Sequence, residues 1–162
     1  MSKDPPLKIL VADPDPTVKA AIRLFSGRDA ADVLEAEDGE RALLVARTVP
    51  LDLVLIEVTV PKLDGIEFTR ALRAESTPRL HSLPIVLLAV DSNPLLASRA
   101  RVAGVTELLQ KPLSTQGLAA LLLRAQRRRA SGSGANWTSV RPPVREEPYQ
   151  RDDDPDEFKR GA

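Results

Sequence analysis

The chain has 162 residues, 43% hydrophobic and 28% charged, with zero net charge and no cysteine. That size and balance suit one soluble domain with some chain to spare, and neutrality supplies no overall field for nucleic acid or an anionic membrane. The lack of cysteine excludes disulfides, thiolate metal sites and cysteine nucleophiles, and no apolar run reaches the ~18 residues a bilayer span needs.

The first residues, Met1 to Pro6, lack an apolar signal segment, so a cytoplasmic protein with a short disordered leader over 1–6 is expected. Leu7 to Ala12 reads as an apolar strand that stops at Asp13-Pro14-Asp15-Pro16. Asp15 before Pro16 is the pattern of an N-cap followed by proline in the first helical position. Val18, Ala21, Ile22 and Phe25 then fall at helical spacing, and Gly27 is a C-terminal stop. Val33, Leu34 and Ala36 make a short second strand, and Asp38-Gly39 turns into a helix carrying Ala42, Leu43 and Ala46.

Leu53-Val54-Leu55-Ile56 is a continuous apolar run, the pattern of a central parallel strand buried on both faces, and it ends at an acidic residue, Glu57. A loop with Pro61 leads to Asp64-Gly65 and a helix with Ile66, Thr69 and Leu72 on one face. Pro78 and the region around His81 read as a loop, and Pro84 to Ala89 as a fourth strand that tolerates proline at its first position. Asn93-Pro94 repeats the capped helix start, and Gly104 ends that helix. Val105 to Leu109 is a fifth strand leading to Lys111-Pro112. Ser114 caps a last helix with Leu118, Leu121, Leu122 and Ala125, whose end is basic at Arg124 and Arg127 to Arg129.

Composition changes at Ala130. Ser131-Gly132-Ser133-Gly134 reads as a linker, and prolines, mixed charge and the run Asp152 to Glu157 argue against a packed core over 130–162. The expectation is a globular unit over 7–129 with a disordered tail. Alternating strands and helices with short crossovers imply a parallel sheet with helices on both faces. Carboxyl ends of such strands are where open α/β sheets place their chemistry. Asp13, Glu57 and Lys111 all stand there in the common 2-1-3-4-5 order.

Ile9 to Asp13, Leu53 to Glu57, Pro61-x-x-Asp64-Gly65, Pro84 to Leu88 and Lys111-Pro112 together resemble the receiver domain of two-component response regulators. The resemblance covers the whole expected domain and implies a flavodoxin-like doubly wound (βα)5 fold. A typical receiver has two adjacent acidic residues holding Mg²⁺ after the first strand; here Asp13 is followed by Pro14. A typical receiver accepts a phosphoryl group on an aspartate ending the third strand; here that position is Glu57. The hydroxyl residue ending the fourth strand is matched by Ala89, and the switching aromatic of the fifth strand by Leu108. Asp13 and Lys111 keep the family identity.

These departures act in one direction. Glutamate displaces its oxygens by about an ångström, and misplacement of that size can cost around a hundredfold in rate. Pro14 removes an oxygen that a hard cation wants, so Mg²⁺ held by Asp13 and Glu57 is weak at most. Ala89 removes a hydrogen-bond donor. Glu57 instead carries one negative charge toward Lys111, where attraction at ~4 Å and an effective dielectric near 20 is about 4 kcal/mol before desolvation. With Ala89 and Leu108 in place, a fixed conformation is expected rather than a switch.

The resemblance thus implies an atypical receiver lacking the phosphoacceptor aspartate: a stand-alone, non-enzymatic signalling protein that acts through protein partners. The family's usual docking face would here comprise 93–103, 105–109 and 114–129. The alternative is a working single-domain response regulator that takes phosphate in a phosphorelay on Glu57 with Asp13 and Mg²⁺. Plainer readings stand beside these: Lys111 as a stabilising ion pair, Asp13 and Asp15 as caps, Asp64 as turn chemistry, His81 as a surface residue. The basic cluster reads as a solvated helix end rather than a nucleic-acid site, since no recognition motif accompanies it. Neither a membrane nor a small-molecule substrate is expected. Trp137, Tyr149 and Phe158 in the tail are docking anchors or isolated aromatics.

Overall fold

The computed structural model describes residues 4–27, 29–132 and 137. Strands and helices alternate as β1 (Leu7–Ala12), α1 (Pro16–Ser26), β2 (Ala31–Glu35), α2 (Gly39–Thr48), β3 (Leu53–Glu57), α3 (Gly65–Arg73), α4 (Pro78–Ser82), β4 (Ile85–Ala89), α5 (Pro94–Ala103), β5 (Glu107–Gln110) and α6 (Thr115–Ala130). The strands form one parallel sheet in the order β2-β1-β3-β4-β5. This is the doubly wound arrangement expected from the apolar runs.

Every residue of β3 and β4 is buried, which is why both sequences lack the polar alternation of a half-exposed strand. Side chains divide by period two. Leu10, Ala12, Val54, Ile56, Ile85 and Leu87 pack with α2 to α5 on one face. Ile9, Val11, Leu53, Leu55, Val86 and Leu88 pack with α1 and α6 on the other. Helix starts follow side-chain capping. Asp15 accepts from the Thr17 amide, Asp38 from Arg41, Asn93 from Leu96 and Ser114 from Gly117. Asp64 and Glu67 form a reciprocal capping box at α3.

Three local differences separate the structure from the reading of the sequence. The stretch around His81, read as a loop, is the five-residue helix α4, started by Pro78 in its first turn. It has one buried apolar residue, Leu80, too little for a periodic signal. β5 starts at Glu107, because the Val105 amide is used by the Ala100 carbonyl and the Thr106 amide by Ile85. The basic end of α6 is not simply solvated: Arg128 donates to the Ser82 carbonyl at 2.7 Å, and Arg129 donates to the Pro6 carbonyl at 3.0 Å and pairs with Asp52 at 3.5 Å.

α6 runs to Ala130, one residue past the expected boundary, and Trp137 packs against the α1/α6 side of the core. Tyr149, Phe158 and the acidic run at 152–157 lie outside the described residues. None of the described helices is long and apolar enough to cross a membrane.

Arg73 is a half-buried cross-link whose bonds among the described residues include no carboxylate. It donates to the carbonyls of Leu80 (2.8 Å), Leu83 (2.8 Å) and Gly104 (3.0 Å), tying α3 to α4 and to the α5–β5 turn. Burial pushes its pKa down, with Arg128 adding a smaller effect in the same direction. Arg73→Met is expected to lower stability by about 2 kcal/mol, since the stranded carbonyls lose partners where water has little access. Urea denaturation at unchanged m-value checks this.

Candidate functional site

The site forms where three strands end together. The register pairs Ala12 with Ile56, Glu57 with Leu88 and Ala89 with Gln110, so Asp13, Glu57 and Lys111 emerge side by side at the carboxyl edge of β1, β3 and β5. Lys111 Nζ lies 3.0 Å from Asp13 Oδ1 and 2.8 Å from Oδ2. It lies 3.6 Å from Glu57 Oε1 and 4.0 Å from Asp15 Oδ2. Asp15 was legible only as a cap; its approach to Lys111 follows from the turn that its own amide makes with Asp13 Oδ1 at 2.8 Å.

The pocket is closed. The Asp13 side chain has no exposed area, and those of Glu57 and Lys111 are 9% and 10% exposed. Burial lowers the Lys111 pKa, but the hydrogen bond and charge of Asp13, with the charges of Glu57 and Asp15, outweigh it and hold the ammonium above its ordinary range. Asp13 Oδ2 lies 2.8 Å from Nζ and meets no other polar partner among the described residues. The hydrogen bond from the Thr17 amide holds the Asp15 carboxyl below its usual range.

The other positions singled out by sequence add no charged group to this triad. Ala89 is buried at the end of β4, and its carbonyl accepts the Lys111 amide at 2.7 Å. Pro14 is exposed on the β1–α1 turn. Leu108 packs against the core between the sheet and α2 to α5. His81 lies on α4, away from the triad in the fold. Asp64 is the cap of α3. The peptide bond between Lys111 and Pro112 is cis.

Two glycines shape the β3–α3 loop. A Cβ on Gly65 would lie 2.8 Å from the Glu57 carbonyl oxygen and 2.5 Å from Leu87 Cδ1, so α3 approaches the end of β3 more closely than alanine permits. Gly39, at the start of α2, donates to the Pro61 carbonyl at 3.1 Å from the other side of the loop.

A divalent cation would meet few donors here. Asp13 and Glu57 are two carboxylates, Pro14 has no side-chain oxygen, and the Lys111 ammonium already stands against both Asp13 oxygens. Among the described residues no three acidic or histidine side chains group as metal ligands. Mg²⁺ demands near-octahedral oxygen coordination, and these residues do not fit it.

Residues 9–123 match the family model of the response regulator receiver domain. The chain is 32% identical over 125 residues to the response regulator GtcR of Aneurinibacillus migulanus, covering 75% of this chain and 48% of that protein. It is 33% identical over 107 residues to the alkaline phosphatase synthesis regulator PhoP of Bacillus subtilis, covering 66% and 43%. The chain thus spans about half the length of these curated relatives or less. The chemotaxis response regulator CheY4 of Vibrio cholerae superposes with a TM-score of 0.65 at 26% identity, over 74% of this chain and 98% of that one. A sensor-kinase receiver domain of Pseudomonas aeruginosa, solved with magnesium in its active-site cleft, gives 0.64 at 25% identity, over 79% and 99%.

Proposed function

This chain belongs to the response regulator receiver domain family, and from that premise we propose that it is an atypical receiver, one that signals through protein contacts without phosphorylation of an acidic side chain. The observation that carries this reading is the closed triad: Lys111 is spent on Asp13, with Glu57 as third member 3.6 Å from Nζ. A phosphoryl group arriving at Glu57 would need charge neutralisation that this pocket has already committed. Pro14 and Ala89 add no ligand or hydroxyl. One carboxylate stands where a phosphorylated aspartate would carry nearly two charges, so the pocket supports one fixed state.

The partner surface in this reading is α5, β5 and α6. α5 has no acidic residue, and it exposes Leu95 (70%) and Val102 (80%) beside Arg99 and Arg101. Exposed apolar side chains beside cations that have no acidic partner among the described residues suit an acidic, amphipathic protein partner. Nucleic acid, membrane and small-molecule substrate have no part in it.

The test is incubation with acetyl phosphate and Mg²⁺, read as acyl-phosphate label, with thermal unfolding in Mg²⁺ and beryllofluoride beside it. The expected result is no label and no rise in the midpoint, since a ligand of the native state must raise it. Label on the wild type that disappears in Glu57→Gln would overturn the reading in favour of a receiver that works in a phosphorelay.

A further inference from the structure

The open side of β5 carries a second buried charge pair that the triad does not use. Among the described residues β5 is an edge strand of the sheet. Glu107 at its start pairs with Arg124 of α6 at 3.1 Å, and their side chains are only 8% and 14% exposed. What closes over them is Trp137: its indole Nε1–H donates to Glu107 Oε2 at 3.0 Å, and the Arg124 guanidinium lies 5.1 Å from the ring centroid. The ring body packs against the core between the sheet and α1/α6. Each part of an indole thus has a matched partner: carboxylate for the N–H, cation for the face, apolar surface for the edge.

This arrangement has the chemistry of recognition rather than of a core. Tryptophan and arginine are the side chains that most often carry interface affinity. α6 is complete before the tryptophan, and the stretch joining them begins Ser131-Gly132-Ser133-Gly134, a tether composition. Trp137 can therefore leave without unwinding the helix.

We propose that the Glu107–Arg124 furrow between β5 and α6 is a docking site for an indole side chain, occupied in cis by Trp137. A protein partner that uses this face must displace it; that last step rests on the partner surface proposed above, whereas the furrow and its occupant do not.

Trp137 is the single tryptophan of the chain, so its emission reports the contact directly. In the full chain, emission is expected to be shielded from iodide at every protein concentration, and Glu107→Ala is expected to remove the shielding while far-UV circular dichroism stays unchanged. A fluorescein-labelled peptide of residues 133–145, followed by anisotropy, is expected to bind the Trp137→Ala chain and to bind the wild type at least tenfold more weakly, because a tethered competitor acts at an effective concentration on the order of millimolar. Wild-type Trp137 as quenchable as a free indole would overturn the proposal. Equal peptide binding to both chains, or none to Trp137→Ala, would do the same. Shielding lost on dilution would place the indole in a second copy instead and overturn the cis assignment. None of these readouts involves a phosphodonor or a partner, so their failure is separate from failure of the proposed function.

Discussion

Lys111→Met is expected to destabilise the protein by about 3–5 kcal/mol, the cost of leaving buried charge without its counter-ion. Asp13 has no exposed side-chain area and Glu57 is 9% exposed, so neither carboxylate can turn to water when the ammonium goes. The pH dependence gives the cause away. In the wild type the folded-state pKa of Lys111 is raised: burial opposes the charge, but Asp13, Glu57 and Asp15 more than offset it. Its contribution is therefore fully present below the ordinary lysine range and fades as pH rises through the folded value. The methionine variant lacks that alkaline loss. Urea unfolding at about pH 7 and again at about pH 11 to 12 separates the two curves. Glu57→Gln, which leaves the Lys111–Asp13 pair intact, should stay within about 1 kcal/mol of the wild type. A methionine variant as stable as the wild type at neutral pH would mean that Lys111 compensates nothing.

The sheet and its site were legible because they rest on local patterns. Continuous apolar runs mark β3 and β4, caps mark the helix starts, and a charged residue directly after a strand must stand at its carboxyl edge. That logic brought Asp13, Glu57 and Lys111 together without any long-range information. It left two roles open for Asp13, a cap for backbone donors near the strand end or weak metal binding with Glu57; in the fold Oδ1 accepts the Asp15 amide and the same carboxylate pairs with Lys111. Contacts made by long side chains to distant backbone left no trace. Arg73 reaching Gly104, Arg128 reaching Ser82 and Arg129 reaching Pro6 look in sequence like any exposed arginines. Trp137 bonds to a residue 30 positions away, so only its aromatic character marked it. α4 was missed because five residues complete too little of a turn pattern.

Gly39→Ala should lower stability by about 2–3 kcal/mol, against the ~1 kcal/mol that alanine ordinarily gains over glycine in a helix. A Cβ there would lie 1.7 Å from the Leu63 carbonyl oxygen and 2.6 Å from the Leu63 carbonyl carbon, so backbone must move. The loop it strikes is already constrained. Lys62 sits at φ 67°, a left-handed conformation that a residue with a Cβ adopts at some cost. Its ammonium pairs with Asp38, the cap of α2, at 3.2 Å. Helix start and loop thus hold each other, and the loop begins where Glu57 ends. Glu40→Ala, an exposed neighbour on the same turn, should change stability by less than about 1 kcal/mol. Amide chemical-shift changes in Gly39→Ala should concentrate at 58–65 and reach Glu57. If instead the variant keeps wild-type stability and the shifts stop at α2, the loop yields freely. The carboxylate it supports would then be free to move, and the fixed pocket on which the proposed function rests would have no structural basis.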